Sequence, residues 1–567
     1  MLPALPGSRL VPCDPADVVL GDGPLKAQYD ETRAFFAALP DDDIIKGFRS
    51  AAGLPAPGTD LGGWCQRTSA VVFGQWLGGM ARMGRAGDTA MADKARRLAT
   101  GWGATLPTIG LGHYAYDKYV GGLVDMIAYL DDDGAADLLR RLTDRAESAL
   151  ARDRVPASDE DSQGGFFNGQ LEWYTLGENL WRAALVTRDQ RYARFADVWR
   201  YPGFWDMFTG AKPCAPWGFH GYSHCNALNS LAMAAVVDAD PRLIAALVRA
   251  HDFFVDTQCY ATGGYGPGEK LMRDDGALGR SLVDEPNGRF LRHQVGRSFE
   301  TPCGTWAVFK LCHYLMRLTG EARFGDWLER VLYNGAHASL PICERGMTFY
   351  YADYRLMGGT KTYHSAAFPC CSGTYLQDVA EYPGLIWWRA DDGVRVNLFV
   401  PSTLRIDLGG VAITLIQETV YPDDGLVRIT VRTPAPVSFA LRCRVPAWAT
   451  GMTGDAAGEP FACTPGAWAG TSRTWRDGEV LTLRLPLVPR LVPIDRQHPD
   501  RVAIAAGPAV LVRVRETMRL SDLGRSLDAG AKPLEYRLRG ASEEWLVPFH
   551  RVGHGVPYRM YVDLERG

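Results

Sequence analysis

Four residues of this chain have the types and spacing for metal or nucleophile chemistry. Cys370 and Cys371 are adjacent in "FPCCSGTY", and Glu300 and Cys303 stand three apart in "SFETPCGTWA". Adjacent cysteines pair poorly with each other, because a disulfide spans about 5.5–6 Å between Cα atoms. Both stretches read as helix starts: Thr301 as N-cap with Pro302 at N1, and Cys370 and Cys371 just ahead of a second helix. The positive end of a helix stabilises anions and lowers thiol pKa. Three thiolates and a carboxylate form a tetrahedral zinc set, so Glu300, Cys303, Cys370 and Cys371 are the candidate metal ligands. The competing reading is four inert buried side chains, because the spacing is not that of a CxxC pair of pairs.

A single carboxylate, Glu269, sits in the glycine-rich "ATGGYGPGEKLM". The loop lacks the Lys-Ser/Thr ending of a phosphate-binding loop. It suits a general acid/base; the alternative is a turn carrying a solvated glutamate. Glu285 in "VDEPNG" is a second candidate by position. His224, in "YSHCNALNSLAMAA", stands at a third helix entrance. Glu172 and Asn168 stand near another, where capping competes with contacts to sugar hydroxyls.

These residues are 80 to 150 positions apart, so the fold must bring them together. From about 25 to 390, helix–turn–helix units recur roughly every 50 residues, as in "CGTWAVFKLCHYLMRLTGEARFGDWLERVLYNG". Val308, Leu311, Cys312 and Leu315 mark one apolar stripe there, and Phe324, Trp327, Leu328 and Val331 the next. About six such pairs without a polar capping repeat predict a closed α/α toroid, an (α/α)6 barrel over 1–390. In such a ring the first helices of all pairs share one N-terminal face. Near 392 the period changes to two, with runs such as "LVRITVRTPAPVSFALRCRVP". These predict a β-sandwich over 391–515, followed by a C-terminal tail over 516–567 that packs on the other domains.

Composition narrows the function classes. The net charge of −4 over 567 residues gives no electrostatic basis for a nucleic-acid or membrane partner. Twelve cysteines are too sparse for a disulfide scaffold, so Cys13, Cys65, Cys214, Cys259, Cys312, Cys343, Cys443 and Cys463 are expected free, buried and inert. The first twenty residues lack the basic and apolar pattern of a secretory signal, and a cytoplasmic location is expected.

The stretches "TGGYGPGE", "FETPC" and "PCCSG", with "SHCN" upstream and "FYYADY" between the last two, resemble glycoside hydrolase family 127, the β-L-arabinofuranosidases. The resemblance implies a retaining glycosidase with a carbohydrate partner and zinc as cofactor. It implies Cys370 as nucleophile, with Cys371, Cys303 and Glu300 as its companions on zinc. Glu269 becomes the acid/base, and His224 and Tyr351 line the sugar pocket. The chain departs from the family pattern in having Glu-x-x-Cys for Glu-x-Cys, Cys-Cys-Ser-Gly for Cys-Cys-Pro-Pro, and "YDKYVGG" where a histidine-rich helix is usual. Two rival readings stand beside it. One is a lyase or epimerase on a similar toroid using His113, Tyr116 or Lys118; the other is a non-catalytic carbohydrate-binding protein with structural zinc. A homodimer is compatible with all three.

Overall fold

The computed structural model describes residues 5–66, 72–152, 172–283, 298–514, 527–538 and 545–564. Glu285 and Asn168 lie outside them. Six helices form an inner ring: Val72–Arg85, His113–Leu130, Leu176–Thr187, Gly221–Asp238, Thr301–Thr319 and Cys370–Ala380. Each packs on the next, and the last packs on the first, which closes the toroid. These helices are apolar nearly all round, as elements buried on every side must be. The outer helices Thr89–Gly103, Asp133–Ala149, Gln190–Val198, Pro241–Thr257 and Phe324–Val331 each follow an inner one and bury a single stripe. Asp88, Asp132, Asp189 and Asp240 cap four of them by accepting a backbone N–H. Pro24–Ala38 packs against Cys370–Ala380 and supplies the sixth outer position.

The ring is tight where small residues face each other. A Cβ at Gly74 would lie 2.1 Å from the Lys118 carbonyl oxygen, and one at Gly122 would lie 2.2 Å from the Gly74 carbonyl oxygen. Alanine at either position would force the first two inner helices apart. Among the described residues no helix is long and apolar enough to cross a membrane.

Beyond Trp387 the chain is built of strands. One five-stranded sheet joins Trp387–Ala390, Gly393–Val396, Val437–Arg444 and Trp468–Trp475, and a seven-stranded sheet includes Ser402–Leu408, Val411–Thr419, Leu426–Arg432 and Val480–Arg484. Inward and outward residues alternate along Ser402–Leu408 and Leu426–Arg432, the pattern of a sheet with one buried face. Two short N-terminal strands complete these sheets: Val11–Pro12 pairs with Trp388 and Arg389, and Val18–Leu20 with Ser402–Leu404. A further sheet runs from Pro489–Pro493 through Arg501–Ala506 and Ala509–Val514 to Trp545–Pro548. The expected 515/516 break therefore falls within one sheet, and the expected tail is part of it.

Candidate active site

Three inner-helix starts and two loops meet at one end of the ring. Glu300 is the N-cap residue of Thr301–Thr319, one position earlier than the sequence suggests, with Pro302 in the first turn. Glu300 and Cys303 thus straddle one helical turn and face the same way, so the extra residue in Glu-x-x-Cys keeps them together. Cys370 and Cys371 open the Cys370–Ala380 helix after Pro369. The short strand Ser298–Glu300 pairs with Tyr351–Asp353, which places Tyr350 and Tyr351 over the same point.

The four candidate ligands converge. Cys303 Sγ lies 3.5 Å from Cys370 Sγ and 3.3 Å from Cys371 Sγ. Glu300 Oε1 lies 3.6 Å from Cys370 Sγ and 3.9 Å from Cys371 Sγ. All four are buried, with donor atoms within 4.8 Å of one another. A tetrahedral zinc with bonds of about 2.0–2.3 Å holds its donors roughly 3.5–3.8 Å apart. The donor set and its spacing therefore fit zinc.

Electrostatics in the cluster are uneven. Burial pushes the Cys303 and Cys371 thiols well above their ordinary range. Hydrogen bonds from Cys303 and Cys371, helped by the Tyr350 hydroxyl 3.4 Å away, hold Cys370 well below it. Burial raises the Glu300 carboxyl to about 8. So many acidic groups sharing one dry site call for a positive charge among them.

Glu269 is 6% exposed, so it is not a solvated turn residue. Gly266 turns the chain with φ +72°, and Glu269 itself is held at φ +65°, a conformation that costs a non-glycine residue about 1 kcal/mol or more. An antiparallel bridge between His220 and Lys270 fixes the loop against the start of Gly221–Asp238. The Tyr351 hydroxyl donates to Glu269 Oε1. Burial raises the Glu269 carboxyl above its ordinary range, against the opposing effects of His220 and Tyr351.

The histidine that reaches the cluster is His220, one turn before the expected His224. His220 Nε2 lies 3.3 Å from Glu300 Oε2 and 3.7 Å from Glu269 Oε2, and Nδ1 lies 2.9 Å from Glu172 Oε1. Burial pulls its pKa down, but hydrogen bonds to Glu172 and Glu300 outweigh this and hold it well above the ordinary histidine value. His224 instead sits in an aromatic box of Tyr174, Tyr201, Phe204 and Phe219, its Nδ1 2.8 Å from the His220 carbonyl oxygen. Burial lowers its pKa to about 3, so it stays neutral. It braces the His220 backbone. No spacing rule separates 220 from 224; only the adjoining carboxylates do.

The lyase candidates are not brought together. Tyr116 bonds Thr143 Oγ1 of an outer helix at 2.8 Å, His113 packs edge-on against Trp199, and Lys118, 2.7 Å from Asp117, lines the interior. The described cysteines are all free; Cys214 is exposed, and Cys343 and Cys463 are half-buried rather than buried.

A closed helical toroid bearing a buried carboxyl beside a thiol cluster, followed by sheets, carries the acid and nucleophile types that a retaining glycoside hydrolase uses. The family model described as β-L-arabinofuranosidase, GH127 catalytic domain, matches residues 99–384, and the GH127 middle-domain model matches 393–487. The chain belongs to glycoside hydrolase family 127. Its fold is shared with a GH127 β-L-arabinofuranosidase from Geobacillus stearothermophilus T6, at 18% identity and TM-score 0.70, covering 97% of this chain and 100% of that one. A GH127 β-arabinofuranosidase aligns at 16% identity and TM-score 0.70 over 99% of this chain and 98% of its own. No curated protein matches the chain.

Proposed function

We propose that the protein hydrolyses β-L-arabinofuranosides, or closely similar glycosides, with retention at the anomeric carbon, using Cys370 as nucleophile and Glu269 as acid/base. The observation that carries this reading is the placement of the Cys370 thiol, within hydrogen-bonding distance of Cys303 and Tyr350, at the same helix-start face as the buried Glu269 carboxyl held by Tyr351. In the first step the Cys370 sulfur attacks the anomeric carbon while the bond to the leaving oxygen breaks, and Glu269 gives that oxygen its proton. In the second, Glu269 as carboxylate takes a proton from water. The water oxygen attacks the same carbon, the carbon–sulfur bond breaks, and the thiolate is restored.

Tyr351 holds one Glu269 oxygen, which leaves Oε2 as the atom to carry the proton. His220, oriented by Glu172, lies between Glu269 and Glu300 and offsets their charge. Glu300, Cys303, Cys370 and Cys371 would hold zinc. When bound, the metal supplies a positive charge that keeps the thiols deprotonated at neutral pH. The test is turnover of aryl β-L-arabinofuranosides by the wild type and by Cys370→Ala and Glu269→Gln. The reading predicts folded variants that have lost activity; a Cys370→Ala enzyme at near-normal rate would overturn it.

A further inference from the structure

Glu269 sits in backbone that must be held from outside. A non-glycine residue at φ +65° persists only where its surroundings over-determine it. Apart from the single turn Pro267–Glu269, the loop 260–269 contains no helix or strand. Its first turn is closed by the Tyr260 N–H on the Gly264 carbonyl oxygen and the Gly263 N–H on that of Tyr260. From the toroid, Trp327 Nε1 donates to the Gly263 carbonyl oxygen at 2.7 Å. A second brace comes from 300 residues further along the chain. There the hydroxyl of Tyr561, on the strand Tyr561–Asp563, accepts the Ala261 N–H at 2.7 Å. Both residues are buried, so this hydroxyl satisfies a backbone donor that water does not reach.

The same C-terminal segment also holds the strand that orients the Glu269 carboxyl. The Tyr558 hydroxyl donates to the Asp353 carbonyl oxygen at 2.6 Å, at the end of the strand Tyr351–Asp353. Tyr558 and Gly359 exchange both backbone bonds at 2.9 Å, and buried Lys361 donates Nζ to the Phe549 carbonyl oxygen at 2.9 Å. Thr262 Oγ1 donates to the Tyr354 hydroxyl at 3.0 Å, which ties the loop to the end of that strand. At the strand's other end Tyr351 donates to Glu269 Oε1. The loop and the residue that orients its carboxyl thus rest on one segment, 549–561, whose flanking strands belong to the far sheet and not to the toroid.

We propose that Tyr558 and Tyr561 are positioning residues through which the C-terminal sheet sets where the Glu269 carboxyl stands against the leaving oxygen. The inference rests on the assignment of Glu269 as acid/base. A proton donor works within about 2.6–3.2 Å of the atom it protonates, and a misplacement of about 1 Å costs on the order of 10²-fold in rate. That loss falls on leaving groups that need the proton, whereas a general loosening of the fold slows all substrates alike. The test is kcat/KM, which reports the step that expels the leaving group, for the full chain and for Tyr558→Phe and Tyr561→Phe. The substrates are methyl β-L-arabinofuranoside, a poor leaving group, and the 2,4-dinitrophenyl glycoside, whose leaving group departs without a proton. Each variant is expected to lose at least tenfold on the methyl glycoside and less than threefold on the dinitrophenyl one, and either serves if the other does not fold. Equal losses on the two substrates, or no loss on either, would overturn the proposal. Glu269→Gln separates the two ways of failing. If it discriminates between the substrates and the folded tyrosine variants do not, this inference alone falls. If it too loses equally on both, or the wild type turns over neither, the acid/base reading falls and this inference with it.

Discussion

The two ends of the toroid have different chemistry. At the N-terminal face, Glu172, Glu269, Glu300 and three thiols surround one imidazolium, His220, and the site is short of positive charge. At the other end, buried ion pairs join Arg82 and Arg182 to Asp125, Arg82 to Glu381 and Lys310 to Glu178. The difference teaches that a helical ring is not a neutral scaffold. Side chains on the same six helices create a site that calls for a cation at one end and a network of matched ion pairs at the other. Only the first places acidic groups that can gain and lose protons around a nucleophile. The second is built from arginines, which stay charged at any ordinary pH.

Substitutions at the two ends should separate cleanly. The largest effect is expected from Cys370→Ala, which should lower kcat/KM by about 10³-fold or more while thermal melting shows a folded protein. Glu269→Gln should lower it by roughly 10²–10⁴-fold. It should also remove the alkaline limb of the pH–rate profile. The sign follows from burial: Glu269 must be protonated to act as an acid, and its pKa is raised above the ordinary carboxylate value. Wild-type activity should therefore persist above that value and fall as pH rises through the raised one.

Metal content sharpens the contrast further. Elemental analysis should find one zinc per wild-type chain and well under one in Cys303→Ala, whereas Arg317→Gln should retain it. Next in size, His220→Gln should cost about 10- to 100-fold in turnover, the scale of an outer partner of a metal site. The smallest effect on turnover is expected from His224→Gln. It sits behind His220 and should lower the melting temperature more than it lowers kcat.

The parts of this site legible in sequence are those coded locally. Glu300 with Cys303 and Cys370 with Cys371 are near neighbours at helix starts, and helical periodicity alone argues that such starts share a face. The glycine-rich setting of Glu269 marks a loop presenting one carboxylate, but its burial and its left-handed φ are visible only in the fold. What sequence could not resolve depends on rotation about a helix or on distant pairing. Choosing His220 over His224 requires knowing that position 220 faces Glu172 and Glu300, 48 and 80 residues away. Val11–Pro12 is too short to show a strand period, and it becomes a strand only because Trp388 and Arg389 offer it an edge. The strands near 545 and 561 likewise follow from partners at 511–514 and 501–503.

The most direct test of the Cys370 assignment is peptide mass spectrometry of the Glu269→Gln enzyme quenched during turnover of an activated aryl β-L-arabinofuranoside. The account predicts one pentosyl group attached at Cys370 and nowhere else. An unmodified Cys370 peptide with the sugar found on another side chain, or a product of inverted configuration, would contradict it.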